Sequence, residues 1–196
     1  MMGNSPSLSP TMFGNDDNIG IAYGMGLTAE KVANQWKVSR EAQDAFAAAS
    51  QQKAVAAIEA GRFVEEITPI LIPQRKGDPV KFEKDECPRP GTTADSLANL
   101  KPAFQKDGSV TAGNAPGITD GAAATVVASE RAVERFRLTP LARITGYSQA
   151  EVTPRWLFLA PVTGVRQLLT RTGMALDDFD LVEINEAFAA QVLADG

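Results

Sequence analysis

Two periodicities run along this chain. Leu181-Val182-Glu183-Ile184 carries three apolar residues and one acid and reads as a short buried strand, while Glu186 to Leu193 has the spacing of a helix. Asn185 stands at the turn between them. Two roles are open to an Asn there. It caps the helix, or it turns its amide into a cleft and orients a water or a substrate oxygen.

The same reading extends upstream. Residues 1–20 are rich in Gly, Ser, Pro, Asn and Asp and read as loop. Thr28 to Trp36 predicts a short helix capped by Thr28. Ser39 caps a longer helix with Glu41 in its first turn, and Gly61 closes it. Ala42, Ala45, Phe46, Ala49, Ala56 and Ala57 form its apolar stripe, mostly Ala, which suits close packing on a neighbour. Ile67 to Ile72 reads as a strand, followed by an extended Pro/Lys-rich stretch to Pro90. Thr93 to Leu100 is a short helix, and residues 108–121 are Gly-rich turns. The continuous apolar run Ala122-Ala123-Ala124-Thr125-Val126-Val127-Ala128 predicts a central strand covered on both faces. Ser129 caps a helix to Phe136, Leu141 to Tyr147 is a strand, and Val162 to Thr172 is an amphipathic helix ending at Gly173. From residue 122 onward strands and helices alternate, which implies an α/β architecture.

Composition narrows the chemistry. The 196 residues are 44% apolar and 22% charged, as in soluble globular chains. No apolar run reaches the length of a membrane span, no export signal is visible, and one cysteine excludes an internal disulfide. The expectation is a cytoplasmic protein. A net charge of −5 argues against broad nucleic-acid binding. It also requires a local basic patch for any polyanionic ligand, with Arg75-Lys76 and Arg89 as candidates against an ordinary solvated surface. Histidine is absent, which removes the commonest general base and the commonest zinc ligand, so no metal site is expected. Cys87 follows Asp85 and Glu86 and lies among prolines. Carboxylates disfavour a thiolate, so Cys87 reads as a small apolar side chain, not as a nucleophile.

The turn at Asn185 gains meaning from the other motifs. Asn185-Glu186-Ala187-Phe188-Ala189-Ala190 after a strand resembles the signature of the thiolases, acyl-CoA:acyl-CoA C-acyltransferases. Further runs agree in the family's order. They are Tyr23 to Ala33, Ser39-Arg40-Glu41 with Gln43 to Ala47, Arg89-Pro90-Gly91-Thr92-Thr93, Lys101-Pro102-Ala103-Phe104, and Val110 to Ala124. The likeness covers almost the whole chain, yet amounts to only about half a thiolase.

The resemblance implies an α/β, partial thiolase fold, from a family with five layers (αβαβα) and an inserted α+β loop domain. Residues 1–118 resemble the loop domain that covers the active site. Residues 119–139 resemble the last strand and helix of the N-terminal half, and residues 140–196 the first part of the C-terminal half. The resemblance further implies a covalent route, in which an activated cysteine takes up an acyl group while a second cysteine and two histidines move protons and hold the thioester oxygen. None of those groups is found here. Asn185 is the catalytic-shell residue carried over, holding a water that donates to the thioester oxygen. Met25, Phe104, Ala112, Pro116, Ala187 and Phe188 resemble the walls of a tunnel for the pantetheine arm. Arg89 and Ser96 resemble positions near the nucleotide end, where an Arg fork suits phosphate. Coenzyme A would then be a substrate, with no separate cofactor, and the family is usually dimeric or tetrameric.

Three departures stand out. Pro116 replaces a Ser that hydrogen-bonds pantetheine in many members, and offers neither hydroxyl nor N–H. Gly24 stands where some biosynthetic members have His. Trp156-Leu157-Phe158-Leu159 forms an apolar patch in place of a Gly-rich turn, as core, subunit contact or acyl pocket. The expected activity is thiolytic cleavage of 3-ketoacyl-CoA or condensation of acetyl-CoA, absent from this chain by itself. The alternative is a non-catalytic CoA-binding or assembly module. Two incomplete sheets predict a chain that aggregates alone or folds only with a partner.

Overall fold

The computed structural model describes residues 24–196. The loop expected over residues 1–20, and Tyr23 of the first motif, lie outside them. Helix α1 spans Met25–Trp36 and starts one turn before Thr28, because the Gly24 carbonyl accepts from the N–H groups of Leu27 (2.9 Å) and Thr28 (3.2 Å). Thr28 is therefore not the cap but an interior residue, and its hydroxyl is buried without a partner among the described residues.

Helix α2, Arg40–Glu59, begins as the sequence predicts. The Ser39 hydroxyl accepts from the Ala42 N–H at 3.1 Å. The Glu41 carboxyl is held below its ordinary pKa, chiefly by a backbone N–H and then by Ser39. Gly61 follows the Ala60 cap with a left-handed φ of 68°. The Ala stripe, however, is not the buried face. Gln43, Asp44, Ala47 and Ala48 are buried, while Ala42, Ala45, Ala49 and Ala56 are exposed. The helix has turned by one residue, about 100°, because Gln43 and Asp44 find hydrogen-bonding partners and Ala47 and Ala48 pack on Leu97.

The predicted strand at Ile67–Ile72 shortens to β1, Ile70–Ile72, since Ile67 is still held by the turn after α2 through the Phe63 carbonyl. It pairs antiparallel with β2, Val80–Phe82, in the register Ile70↔Phe82 and Ile72↔Val80, and both strands are exposed. The short α3, Ala94–Ala98, carries a capping box between Thr93 and Ser96. Helix α4, Glu130–Phe136, is capped by Ser129. A 3-10 turn at Pro154–Leu159, kinked at Trp156, leads into α5, Ala160–Thr172, which Gly173 ends with φ 70°. A short 3-10 turn, Leu176–Asp178, precedes α6, Ala189–Asp195.

The three apolar runs read as strands, 122–128, 141–147 and 181–184, form no ladder here. Val126 is 91% exposed and Leu181 equally so. A central strand needs a neighbour at each edge and a layer over each face, and the described residues supply neither. Burial is concentrated where α1, α6, the 154–159 turn and Val110 meet. Ala29, Val32, Ala33, Val110, Phe158, Phe188 and Ala190 form that core, and α2 with α3 forms a smaller one. Among the described residues no helix is long and apolar enough to cross a membrane.

Candidate functional site

The site is built from α1 outward. Residues 102–111 fold back on themselves: Pro102 bridges Thr111, and the Ala103 N–H donates to the Val110 carbonyl at 2.9 Å. This hairpin lies along α1 and is held at two points one helical turn apart. At Glu30, one carboxylate oxygen accepts from the Ser109 N–H (2.9 Å) and hydroxyl (3.1 Å), and the other from the Val110 N–H (2.9 Å). Glu30 is only 2% exposed, so these donors satisfy a buried carboxylate. At Gly26, the missing side chain admits the Phe104 ring: a Cβ there would lie 2.2 Å from Phe104 Cγ. Gly108 is needed for the same reason, since its Cβ would lie 2.1 Å from Glu30 Oε1.

Phe104 in turn meets Phe188 edge-on, with ring centroids 6.2 Å apart, and Phe188 meets Phe158 at 5.4 Å. Phe188 is buried, whereas Phe104 keeps 45% of its surface open and lines a depression over residues 101–107. Met25 and Ala187 pack against the same core. Phe158, from the apolar 156–159 patch, is therefore core. Trp156 rests edge-on against Trp36, and Leu157 stays exposed.

Just before α6, the Asn185 carbonyl accepts the Ala187 N–H at 2.9 Å. The Asn185 side chain is exposed and has no hydrogen-bond partner among the described residues. It does not cap α6, whose N-cap position belongs to Phe188. Next to it, Glu186 accepts a 2.5 Å hydrogen bond from the Ser50 hydroxyl of α2. Asn185 is thus exposed at a turn held on its C-terminal side by Glu186 and Ala187.

Ala112 and Pro116, both exposed, flank the buried Asn114. Arg89 and Ser96 lie apart from the aromatic group, on the α2–α3 side. The Arg89 N–H donates to Gln51 (2.8 Å) and its carbonyl accepts from the Thr92 hydroxyl (2.9 Å), which leaves its exposed guanidinium without a partner among the described residues. The Ser96 hydroxyl is already engaged, donating to the Thr93 carbonyl at 2.7 Å and accepting the Thr93 N–H at 3.1 Å. Cys87 is exposed, its sulfur beside Gly117. Among the described residues no cluster of His, Cys, Asp and Glu is arranged to hold a metal ion.

Sequence reasoning missed the polar residues that carry this frame: Glu30, Arg40, Gln43, Asp44, Ser109 and Asn114. Gln43 donates to the Ser109 hydroxyl at 2.9 Å, Asp44 accepts from Asn114 at 2.9 Å, and Arg40 holds Asp44 at 2.6 Å while donating to the carbonyls of Leu97 (2.8 Å) and Leu100 (3.0 Å). One signal was available. Glu30 shares its helix face with Gly26 and Ala33, small residues that suggest close approach.

Two family models match the chain, "Thiolase, N-terminal domain" over residues 16–131 and "Thiolase, C-terminal domain" over residues 138–196. An acetyl-CoA acetyltransferase of Pseudomonas aeruginosa is 56% identical over 174 residues, covering 89% of this chain and 44% of the relative. The crystal structure of the Bacillus anthracis acetyl-CoA acetyltransferase superposes with a TM-score of 0.84 at 50% identity, over 87% of this chain and 43% of that one. Human mitochondrial 3-ketoacyl-CoA thiolase in complex with CoA superposes at 0.82 with 45% identity, over 89% and 43%. The chain therefore spans less than half the length of the relatives it matches.

Proposed function

The chain belongs to the thiolase family and carries the corresponding part of its α/β fold, and on that premise we propose that it serves an acyl-CoA C-acyltransferase. It contributes walls for the pantetheine arm and one amide for the thioester oxygen. The observation that carries this reading is the contact of Phe104 with Phe188 and Gly26, beside the outward-facing turn of Asn185. An apolar, partly open aromatic pair suits a thin, mostly apolar arm. The Asn185 amide can accept and donate at once, so it fixes a water against a carbonyl without a buried charge. Arg89, whose guanidinium has no partner among the described residues, suits the phosphates. Pro116 adds shape to the tunnel but no hydrogen bond.

These 196 residues contain no histidine, and Cys87 is exposed between acids and prolines. The attacking sulfur and the proton-moving groups are therefore not among them. Acting alone, this chain binds coenzyme A and does not transfer an acyl group. Within the complete machinery the reaction is acetyl-CoA condensation or thiolysis of a 3-ketoacyl-CoA, a step of fatty-acid metabolism in the cytoplasm, carried out by a dimer or tetramer. Titration calorimetry with coenzyme A tests this reading. Saturable binding that weakens in Phe104→Ala is the expected result. A folded chain that takes up no coenzyme A would overturn it.

A further inference from the structure

We infer that Asn114 is a positioning residue that sets the register between the pantetheine walls and the Asn185 turn, and that Asp44 acts through it. The functional half of this inference rests on the acyl-CoA reading; the geometric half does not. Asn114 is 4% exposed, and its side chain is fully used. Its Oδ1 accepts the Thr111 N–H at 2.8 Å, and its Nδ2 donates to Asp44 Oδ1 at 2.9 Å and to the Ser109 carbonyl at 3.1 Å. An amide with both ends engaged cannot rotate, so the backbone it carries is fixed as well.

That backbone makes the decisive contact. The Asn114 carbonyl accepts the N–H of Ala189 at 3.1 Å, and Ala189 is the first residue of α6. A helix start leaves its first N–H groups unpaired, and a capping side chain normally takes one. Phe188, at the N-cap position, has no side chain able to do so. The Asn114 carbonyl supplies the acceptor from another part of the chain. Phe188 immediately precedes that bond, and Asn185 lies a little further upstream. In its own segment, Asn114 stands between Ala112 and Pro116. One residue thus locks the loop wall to the start of the helix that follows the aromatic wall and the candidate water-holding amide. Asp44 fixes Asn114 and is itself fixed by Arg40 at 2.6 Å, which is anchored in turn on the Leu97 and Leu100 carbonyls.

Asn114→Asp tests this with little change in shape. A carboxylate oxygen then faces Asp44 Oδ1 and the Ser109 carbonyl, and two donor bonds become two repulsions. The expected result is a loss of coenzyme A affinity of about tenfold or more, with faster exchange of the Ala189 amide but unchanged exchange of the Val32 and Ala47 amides. The double variant Asp44→Asn/Asn114→Asp restores one of the two bonds, and affinity is expected to return to within about threefold of the parent. Should Asn114→Asp fail to fold, Asp44→Asn alone is the milder probe. The substituted amide offers a single oxygen to the two donors from Arg40 and Asn114, and the same local signature at Ala189 is expected. Parent-like coenzyme A affinity in folded Asn114→Asp overturns the inference. So does a loss of protection spread equally over α1, α2 and α6, which would make Asn114 a general support only. Failure of the parent chain to bind coenzyme A sinks the acyl-CoA reading instead, and the Ala189 exchange rate still decides the geometric half.

Discussion

Residues 108–114 and residues 122–128 invert the usual rule of burial. The first, Gly-Ser-Val-Thr-Ala-Gly-Asn, sets Ser, Thr and Asn among small residues, yet Thr111 and Asn114 are buried beside Val110. The second, Ala-Ala-Ala-Thr-Val-Val-Ala, is almost wholly apolar, yet Val126 and Val127 are exposed. The difference lies in their surroundings. The polar groups of the first stretch find partners on α1 and α2, so burial leaves little unsatisfied. The second has the composition of a central strand but no adjacent strand among the described residues. Hydrophobic content drives burial only where a surface is present to receive it.

The comparison predicts a steep difference in mutational cost between the tied region and the loose one. The largest effect is expected for Phe188→Ala, which removes the ring shared by Phe104 and Phe158 and should cost about 3–5 kcal/mol, read from a urea melt followed by far-ultraviolet circular dichroism. Glu30→Gln comes next. An amide cannot accept at both ends, so one backbone donor of Ser109 or Val110 is stranded against an NH₂ group, at about 2–3 kcal/mol. Parent-like stability in Glu30→Gln would mean that the hairpin is not held by that carboxylate. Gly26→Ala drives a methyl into the Phe104 ring and should cost about 1–3 kcal/mol, with a matching drop in coenzyme A affinity. The smallest effects are expected for Val126→Lys and Asn185→Ala, each within about 0.5 kcal/mol in the same melt, since neither side chain touches the tied region. A large loss of stability in either would erase the distinction between the two regions.

Much of the local structure was legible in the sequence. Ser39 and Ser129 cap helices as their side chains suggest, and Gly61 and Gly173 adopt the left-handed geometry that ends them. These are short-range decisions, made within one turn of chain. The buried face of α2 was misread, because Gln43 and Asp44 look like solvent residues until residues 109–114 come to meet them. The runs at 122–128, 141–147 and 181–184 form no ladder among the described residues, since periodicity reports a preference and pairing requires a second strand. In the candidate site, the motif residues Met25, Phe104, Ala187 and Phe188 converge, and Asn185 is accessible. Ser96 proved to be engaged in a helix cap. Asn114 lies inside the 110–124 motif, and its importance resides in a backbone carbonyl that no side-chain pattern reports.

The edge-on pair of Trp36 and Trp156, with centroids 5.2 Å apart, has an optical consequence. The chain has two tryptophans in all, and both sit at the single junction between α1 and the 154–159 turn. Indole emission is therefore a local gauge of that joint. A fluorescence trace will follow the seating of this turn and will be blind to residues 118–147, so its divergence from a backbone signal measures how far the two regions come apart.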